Sequence, residues 1–149
     1  MSQVIGVIAL LGAGVTAGVL FCVAISLVPG FIALPPAAYV DAHRLFGRYF
    51  DRVMPPLVVT TTLLVAVLAF ATDSVGRRTA LIAAAVCLFG VSVVSQSRNV
   101  PINRRVKNLT AVPDDWDDPR IAWRNWHALR TAFAFLALVL TAAGVVSSN

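Results

Sequence analysis

Four apolar runs, at about residues 4–28, 57–72, 79–97 and 127–146, leave this chain little choice of solvent. A helix needs ~20 mostly apolar residues to cross a bilayer core, so a 149-residue chain has room for four such spans and two real loops. With 58% hydrophobic residues, 13% charged and a mean hydropathy of +0.82, the composition lies outside the soluble range. The expected fold class is therefore all-α: a single four-helix transmembrane bundle over 1–149, with an amphipathic segment between helices 1 and 2 and a polar loop between helices 3 and 4.

The formal charge is +5, yet the basic residues flank the apolar runs rather than striping a soluble fold, so lipid and not nucleic acid is the expected partner. The N-terminal run lacks the basic start of a secretory leader and outlasts its apolar core, so it reads as a retained first helix. Pro29-Gly30 is expected to end that helix, and Gly14/Gly18 is a small-xxx-small pair that suits packing within the bundle more than a dimer seam. Oligomerisation remains an open expectation for so small a chain. Cys22 and Cys87 lie in apolar runs and are expected to be unpaired.

Between the first two spans, LPPAAYVDAHRLFGRYFDRVMPP is bracketed by Pro35-Pro36 and Pro55-Pro56. Asp41, Arg44, Arg48 and Asp51 recur at helical spacing on one face, and His43, Phe46, Gly47 and Phe50 on another. The third span runs on into RNVPINRR, where Pro101 is expected to kink or stop it. A loop with Asp114, Asp115, Asp117 and Asp118 between Pro113 and Pro119 then leads into the last helix. Ten of the twelve Lys and Arg residues fall in the two long connections, leaving Arg77 and Arg78 in the short one. The positive-inside rule then expects the long polar segments in the cytoplasm and both termini outside, in a membrane of the bacterial inner type.

Three polar elements can converge at one membrane face. Trp123, Trp126, His127 and Arg130 stand at i, i+3, i+4 and i+7 of the last helix and share a face. The bland reading is an interfacial anchor; the histidine favours a site. Ser92, Gln96, Asn99 and Asn103 form a stripe at i, i+4, i+7 and i+11, either as interhelical glue or as a hydrogen-bonding wall for a polar aromatic ligand. His43 and Arg44 complete the set, since ionisable groups inside a bundle are functional by default. Only two histidines exist and no HxxxH, CxxC or ExxH pattern occurs, so no metal site is expected. The alternative is that His43 and His127 ligate a single transition metal or haem.

YVDAHRLFGRYFDRVMPP, RNVPINRRVKNL and PDDWDDPRIAWRNWHALRT together resemble the anthrone oxygenase-like family of small membrane proteins (DUF1772), with Asn-Val-Pro-x-Asn and Trp-x-x-Trp-His-x-x-Arg-Thr as the more specific elements. The resemblance implies a four-span bundle and, for some members, oxidation of an anthrone to an anthraquinone by molecular oxygen. It supplies no residue roles. The chemistry of the side chains suggests His127 or His43 as base and Arg44 or Arg130 as anion stabiliser. Trp123, Trp126, Asn99, Asn103, Gln96 and Arg48 would then hold a hydrophobic aromatic substrate. The cofactor is left unknown. Competing readings are a haem- or metal-binding membrane redox protein and a non-enzymatic assembly or transport subunit.

Overall fold

The computed structural model describes residues 2–146. Four helices dominate it: α1 (Gln3–Ala33), α2 (Pro36–Phe70), α3 (Val75–Lys107) and α4 (Arg120–Val146), each long and apolar enough to cross a membrane. No strand occurs among the described residues. Each helix packs on its neighbour in the chain and α4 closes the ring against α1, so the four surround a common axis. Only about a third of each apolar window is buried within the bundle, and large side chains such as Leu11, Leu63, Phe89 and Val139 point outward. That surplus of exposed apolar surface has lipid as its natural partner: the chain is an integral membrane protein.

The helices are longer than their apolar runs because Pro29, Pro55, Pro56 and Pro101 lie inside them without stopping them. In hydrocarbon an unbonded backbone group costs several kcal/mol, so the chain adjusts its winding rather than opening it. The adjustment is the same in α1 and α3. A five-residue π-helical stretch, Val23–Leu27 or Ser95–Asn99, is followed by Val-Pro, and the valine N–H bonds five residues back, Val28 to Val23 and Val100 to Ser95. The wider turn makes room for a proline ring that would clash with the carbonyl of a regular α-turn. Helix α1 therefore passes Pro29-Gly30, where the sequence reading ends it, and α3 passes Pro101. Likewise the amphipathic segment is helical, but Pro55 and Pro56 lie inside α2, so it continues into the second span without a break.

Small residues set the interhelical spacing, though at positions other than Gly14 and Gly18. A Cβ at Gly18 would meet nothing within 4 Å, whereas one at Gly12 would strike the Thr61 side chain and one at Gly144 would come within 2.6 Å of Leu81. Around these approaches lie two dry layers, one with Ala9, Val65, Leu81 and Leu88, the next with Ala17, Leu20, Val58 and Val91. The third layer is aromatic, with Phe31, Tyr39 and Trp123 at its centre. Both cysteines are unpaired.

One arginine fastens the aromatic end. Arg120 Nη1 donates to the carbonyls of Phe31, Ile32 and Leu34, which α1 leaves unsatisfied at its C-terminus, and its guanidinium lies 5.4 Å from the Tyr39 ring centroid. Asp118 holds that guanidinium through Nε and accepts the Arg120 backbone N–H at the start of α4. The guanidinium beside it keeps the Asp118 carboxyl below the usual carboxylate range.

Two outcomes follow. Gly12→Ala must displace Thr61, whose hydroxyl is tied to the Leu57 carbonyl, and is expected to cost about 1–3 kcal/mol, read as a lower Tm in detergent; Gly18→Ala should not lower it. Because the Asp118 pKa is depressed in the fold, its contribution is present above the ordinary carboxylate range and lost as pH falls through the lower native value. Thermal scans on an acid series should therefore show a fall in Tm that Asp118→Asn flattens, with the variant less stable near neutrality.

Candidate functional site

Beneath the aromatic layer all four helices enclose a cavity of about 180 Å³. Its wall is apolar, from Val19, Leu20 and Val23 of α1 to Met54 and Val58 of α2, and is interrupted by His43, Asp51, Ser92, Ser95, Asn103 and Arg130. Few polar groups set in an apolar hollow is the usual form of a small-molecule site.

At one end, hydrogen-bond logic fixes the state of His43. Trp123 Nε1 can only donate, and it lies 2.9 Å from Asn103 Oδ1, which sets the amide's orientation. The same oxygen is 3.1 Å from His43 Nε2, so that nitrogen must carry the proton. His43 Nδ1 is then a bare lone pair, and it is buried with no hydrogen-bond partner. Phe31, Tyr39 and Trp123 surround the ring with centroids 5.3–5.7 Å away. A neutral imidazole with one free basic nitrogen is thus held among aromatics at the cavity wall.

The other end is cationic. His127 Nε2 donates to the Leu20 carbonyl at 2.9 Å, so its Nδ1 is the acceptor, and Arg130 fills it twice, from Nε at 3.0 Å and Nη2 at 2.8 Å. Arg130 Nη1 also donates to Ser95 Oγ at 3.2 Å, whose own proton goes to the Val91 carbonyl. Each terminal nitrogen of the guanidinium keeps one N–H in hand. No carboxylate among the described residues pairs with it: Asp51, the one carboxylate in the wall, is bound to Lys107. Arg130 is a cation held by neutral ligands.

The structure sorts the residues singled out in the sequence. His43, Asn103, Trp123, Gln96 and Arg130 line the cavity; His127, Arg44, Arg48, Asn99 and Trp126 do not. His127 is buried with both ring nitrogens engaged, Nε2 by the Leu20 carbonyl and Nδ1 by Arg130. Arg44 is turned to the Lys107 carbonyl and Asp41, joining α2 to the end of α3, so it does not reach a bound anion. Arg48 is exposed outside the cavity. Trp126 sits at the edge of its stripe with the Arg98 guanidinium 4.8 Å from its ring, while Trp123 stacks on His127 at 5.4 Å and 18°. Asn99 donates to the Trp123 carbonyl because the π-helical stretch inserts one residue's worth of rotation into the Ser92–Asn103 stripe. Ser95, which precedes that rotation and follows Val91 and Ser92 at i+4 and i+3, shares their face and lines the cavity, although the stripe as read from the sequence passed over it. Asp51 and Phe50 were visible as face residues of the amphipathic segment, without a sign that they bound a cavity.

A shared metal between the histidines does not fit this donor set. Trp123 lies between the two imidazoles, His127 has no free nitrogen, and no group of three His, Cys, Asp or Glu side chains converges among the described residues.

Compared with known proteins, the chain matches the family model described as anthrone oxygenase over residues 43–140, about two thirds of its length. That stretch includes the cavity-lining parts of α2, α3 and α4. No curated protein and no solved structure matches it. With its four spans and a match that begins at His43 and extends past Arg130, the chain belongs to the anthrone oxygenase family.

Proposed function

We propose that this protein is a membrane-embedded oxygenase that converts the activated methylene of a hydrophobic phenolic or anthrone-like compound to a carbonyl, with His43 as base and Arg130 as oxyanion holder. The observation that carries the reading is that a histidine with one unbonded ring nitrogen and a guanidinium with no carboxylate bonded to it line the same apolar cavity. In an anthrone the acidic C–H and the carbonyl lie para across one ring, and removing the proton moves negative charge from carbon to that oxygen. The two poles suit this charge shift. Trp123, beside His43, and His127, beside Arg130, are four residues apart on α4, about 6 Å along the helix.

The stoichiometry needs no outside reductant. His43 Nδ1 takes the first proton; the carbanion gives its electrons to O₂ and a C–O bond forms. The peroxide takes the proton back from His43. Loss of the second C–H proton with cleavage of O–O gives the carbonyl and water. One oxygen atom enters the product, the other leaves as water, and the four electrons come from the substrate. Arg130, aimed beforehand by His127 and Ser95, holds the developing oxyanion without reorganising, which is where such donors contribute most. Trp123 and Phe31 offer aromatic faces to the rings. The basic residues around this end of the bundle favour a site opening toward the cytoplasmic face, with both termini outside.

Oxygen uptake and carbonyl formation on anthrone by the reconstituted protein test the reading. His43→Gln is expected to lower kcat about a hundredfold or more, and Arg130→Gln by about a hundredfold. Arg44→Gln and Arg48→Gln should stay near the parent. Equal turnover by His43→Gln and the parent would sink the assignment of the base. The resting state has its own readout: ¹⁵N spectra of labelled protein should show His43 as the Nε2–H tautomer with an unbonded Nδ1. Asn103→Leu should release that preference while His127 stays pinned.

A further inference from the structure

The cavity is too small for the substrate class just named. A hollow of about 150 Å³ admits benzene, so about 180 Å³ encloses one substituted ring and not three fused ones. The remaining rings must lie where the wall is open, and the exposure of the lining residues locates that opening. On α1 and α4 the lining is buried or half-buried; the exposed members are Phe46 (45%), Phe50 (37%), Asp51 and Val59 (51%) on α2 and Gln96 on α3. Phe46, its ring 6.3 Å from Phe31, belongs to the α1 side of α2, so Val59 and Gln96 mark the opening, at the seam between α2 and α3.

Its surroundings say which solvent it meets. Leu63 and Val67 follow Val59 at i+4 and i+8 and stand exposed as well, so the α2 flank of the mouth is a run of large apolar side chains. Val59 lies two residues into the apolar run of α2, and Gln96 at the last residues of that of α3, which puts the mouth near the junction of acyl chains and headgroups. Toward the polar end the seam is tied shut. Lys107 reaches over Gly47 to pair with Asp51, and the Arg44 Nε donates to the Lys107 carbonyl at 3.1 Å. A Cβ at Gly47 would lie 3.4 Å from the Lys107 Nζ, so the missing side chain leaves room for this strap.

We propose that the cavity is loaded sideways from the bilayer through the α2–α3 seam, and that its ligand is a lipid-dissolved polycycle. One oxygenated ring is seated between His43 and Arg130, and the rest trails into lipid past Gln96 and Val59. The proposal rests on the cavity being the substrate site and does not depend on oxidation taking place there. It makes Val59 a specificity residue: its size limits what can thread the mouth, while ring substituents that point outward are tolerated at any length.

The test uses binding, so that it stands apart from turnover. In a Trp116→Phe, Trp126→Phe background, Trp123 is the sole tryptophan and reports occupancy of the cavity by fluorescence quenching. The protein is reconstituted in phosphatidylcholine–phosphatidylglycerol liposomes and titrated with 2-hexadecylanthraquinone, 2-methylanthraquinone or the membrane-excluded anthraquinone-2-sulfonate. Saturable quenching by the hexadecyl and methyl probes, with little by the sulfonate, is the expected result. Val59→Phe should raise the half-saturating mole fraction about tenfold or more, and Val59→Ala should leave it unchanged or lower it, which separates a blocked mouth from a damaged fold. Quenching by the methyl but not the hexadecyl probe, strong quenching by the sulfonate, or none by any probe would each overturn the proposal. Binding as expected with no oxidation of anthrone would leave the side entrance standing and remove the oxygenase reading.

Discussion

Every backbone N–H and C=O that crosses hydrocarbon has to be bonded within the protein, and most of what distinguishes this bundle follows from that constraint meeting its prolines. In water, Pro29 and Pro101 would be natural places to stop a helix. Here α1 and α3 each widen by one residue into a π-helical stretch just before Val-Pro and carry on. Such insertions turn everything after them by roughly one residue's angle, about 100°. The two stretches border the cavity end of the bundle. They decide that Ser95 rather than Asn99 meets Arg130, and that the α1 segment running to Phe31 closes over His43.

The electrostatics depend on neutral partners. A guanidinium costs about 2.5–3.5 kcal/mol at the centre of a span on an insertion scale and less near its polar end, where Arg130 stands, and hydrogen bonds to a charged group return about 1.5–3 kcal/mol each. The three donated by Arg130 are enough to keep it in place without a carboxylate. A carboxylate would have stabilised the cation more in the empty protein but would have cancelled its field. His127 and Ser95 hold the cation and leave its charge for a ligand. For the same reason His127 has to stay neutral: the Leu20 carbonyl fixes the tautomer by accepting from Nε2, and the Arg130 guanidinium, donating to Nδ1, keeps a second proton off that nitrogen.

The fold was legible in the sequence because hydropathy answers to bilayer thickness, and thickness is a length that can be counted along the chain. Four spans, the helical segment before Pro55 and the polar connection after α3 could all be read this way. Helix ends could not, because the rule that proline stops a helix belongs to water. The site was legible as a neighbourhood. His43, Asn103, Trp123 and Arg130 stood out as polar or amphipathic groups beside apolar runs, and they line one cavity. Their division of labour was not legible. His127 and His43 look alike in sequence, and what separates them is a backbone carbonyl from α1 and the guanidinium of Arg130. Asn99 and Asn103 appear as equal members of one stripe until the π-helical turn between Ser95 and Asn99 rotates one of them away.

The aromatic layer above the cavity then acquires a reason beyond packing. If His43 is the base proposed above, an unbonded lone pair is ready for the substrate proton without first giving up a water. Phe31, Tyr39 and Trp123 enclose the His43 ring on several sides, while the Asn103 amide oxygen accepts from Nε2. Trp123 serves both purposes, shielding His43 with its face and fixing the Asn103 amide through its indole N–H. The Arg120–Asp118 clamp, though more remote, belongs to the same arrangement, since it caps the carbonyls at the end of α1 and so keeps Phe31 over the imidazole. Structural and chemical roles thus meet in the same few side chains. A substitution in this layer should therefore alter the basicity of His43 before it alters the stability of the bundle, whose two dry layers lie farther down.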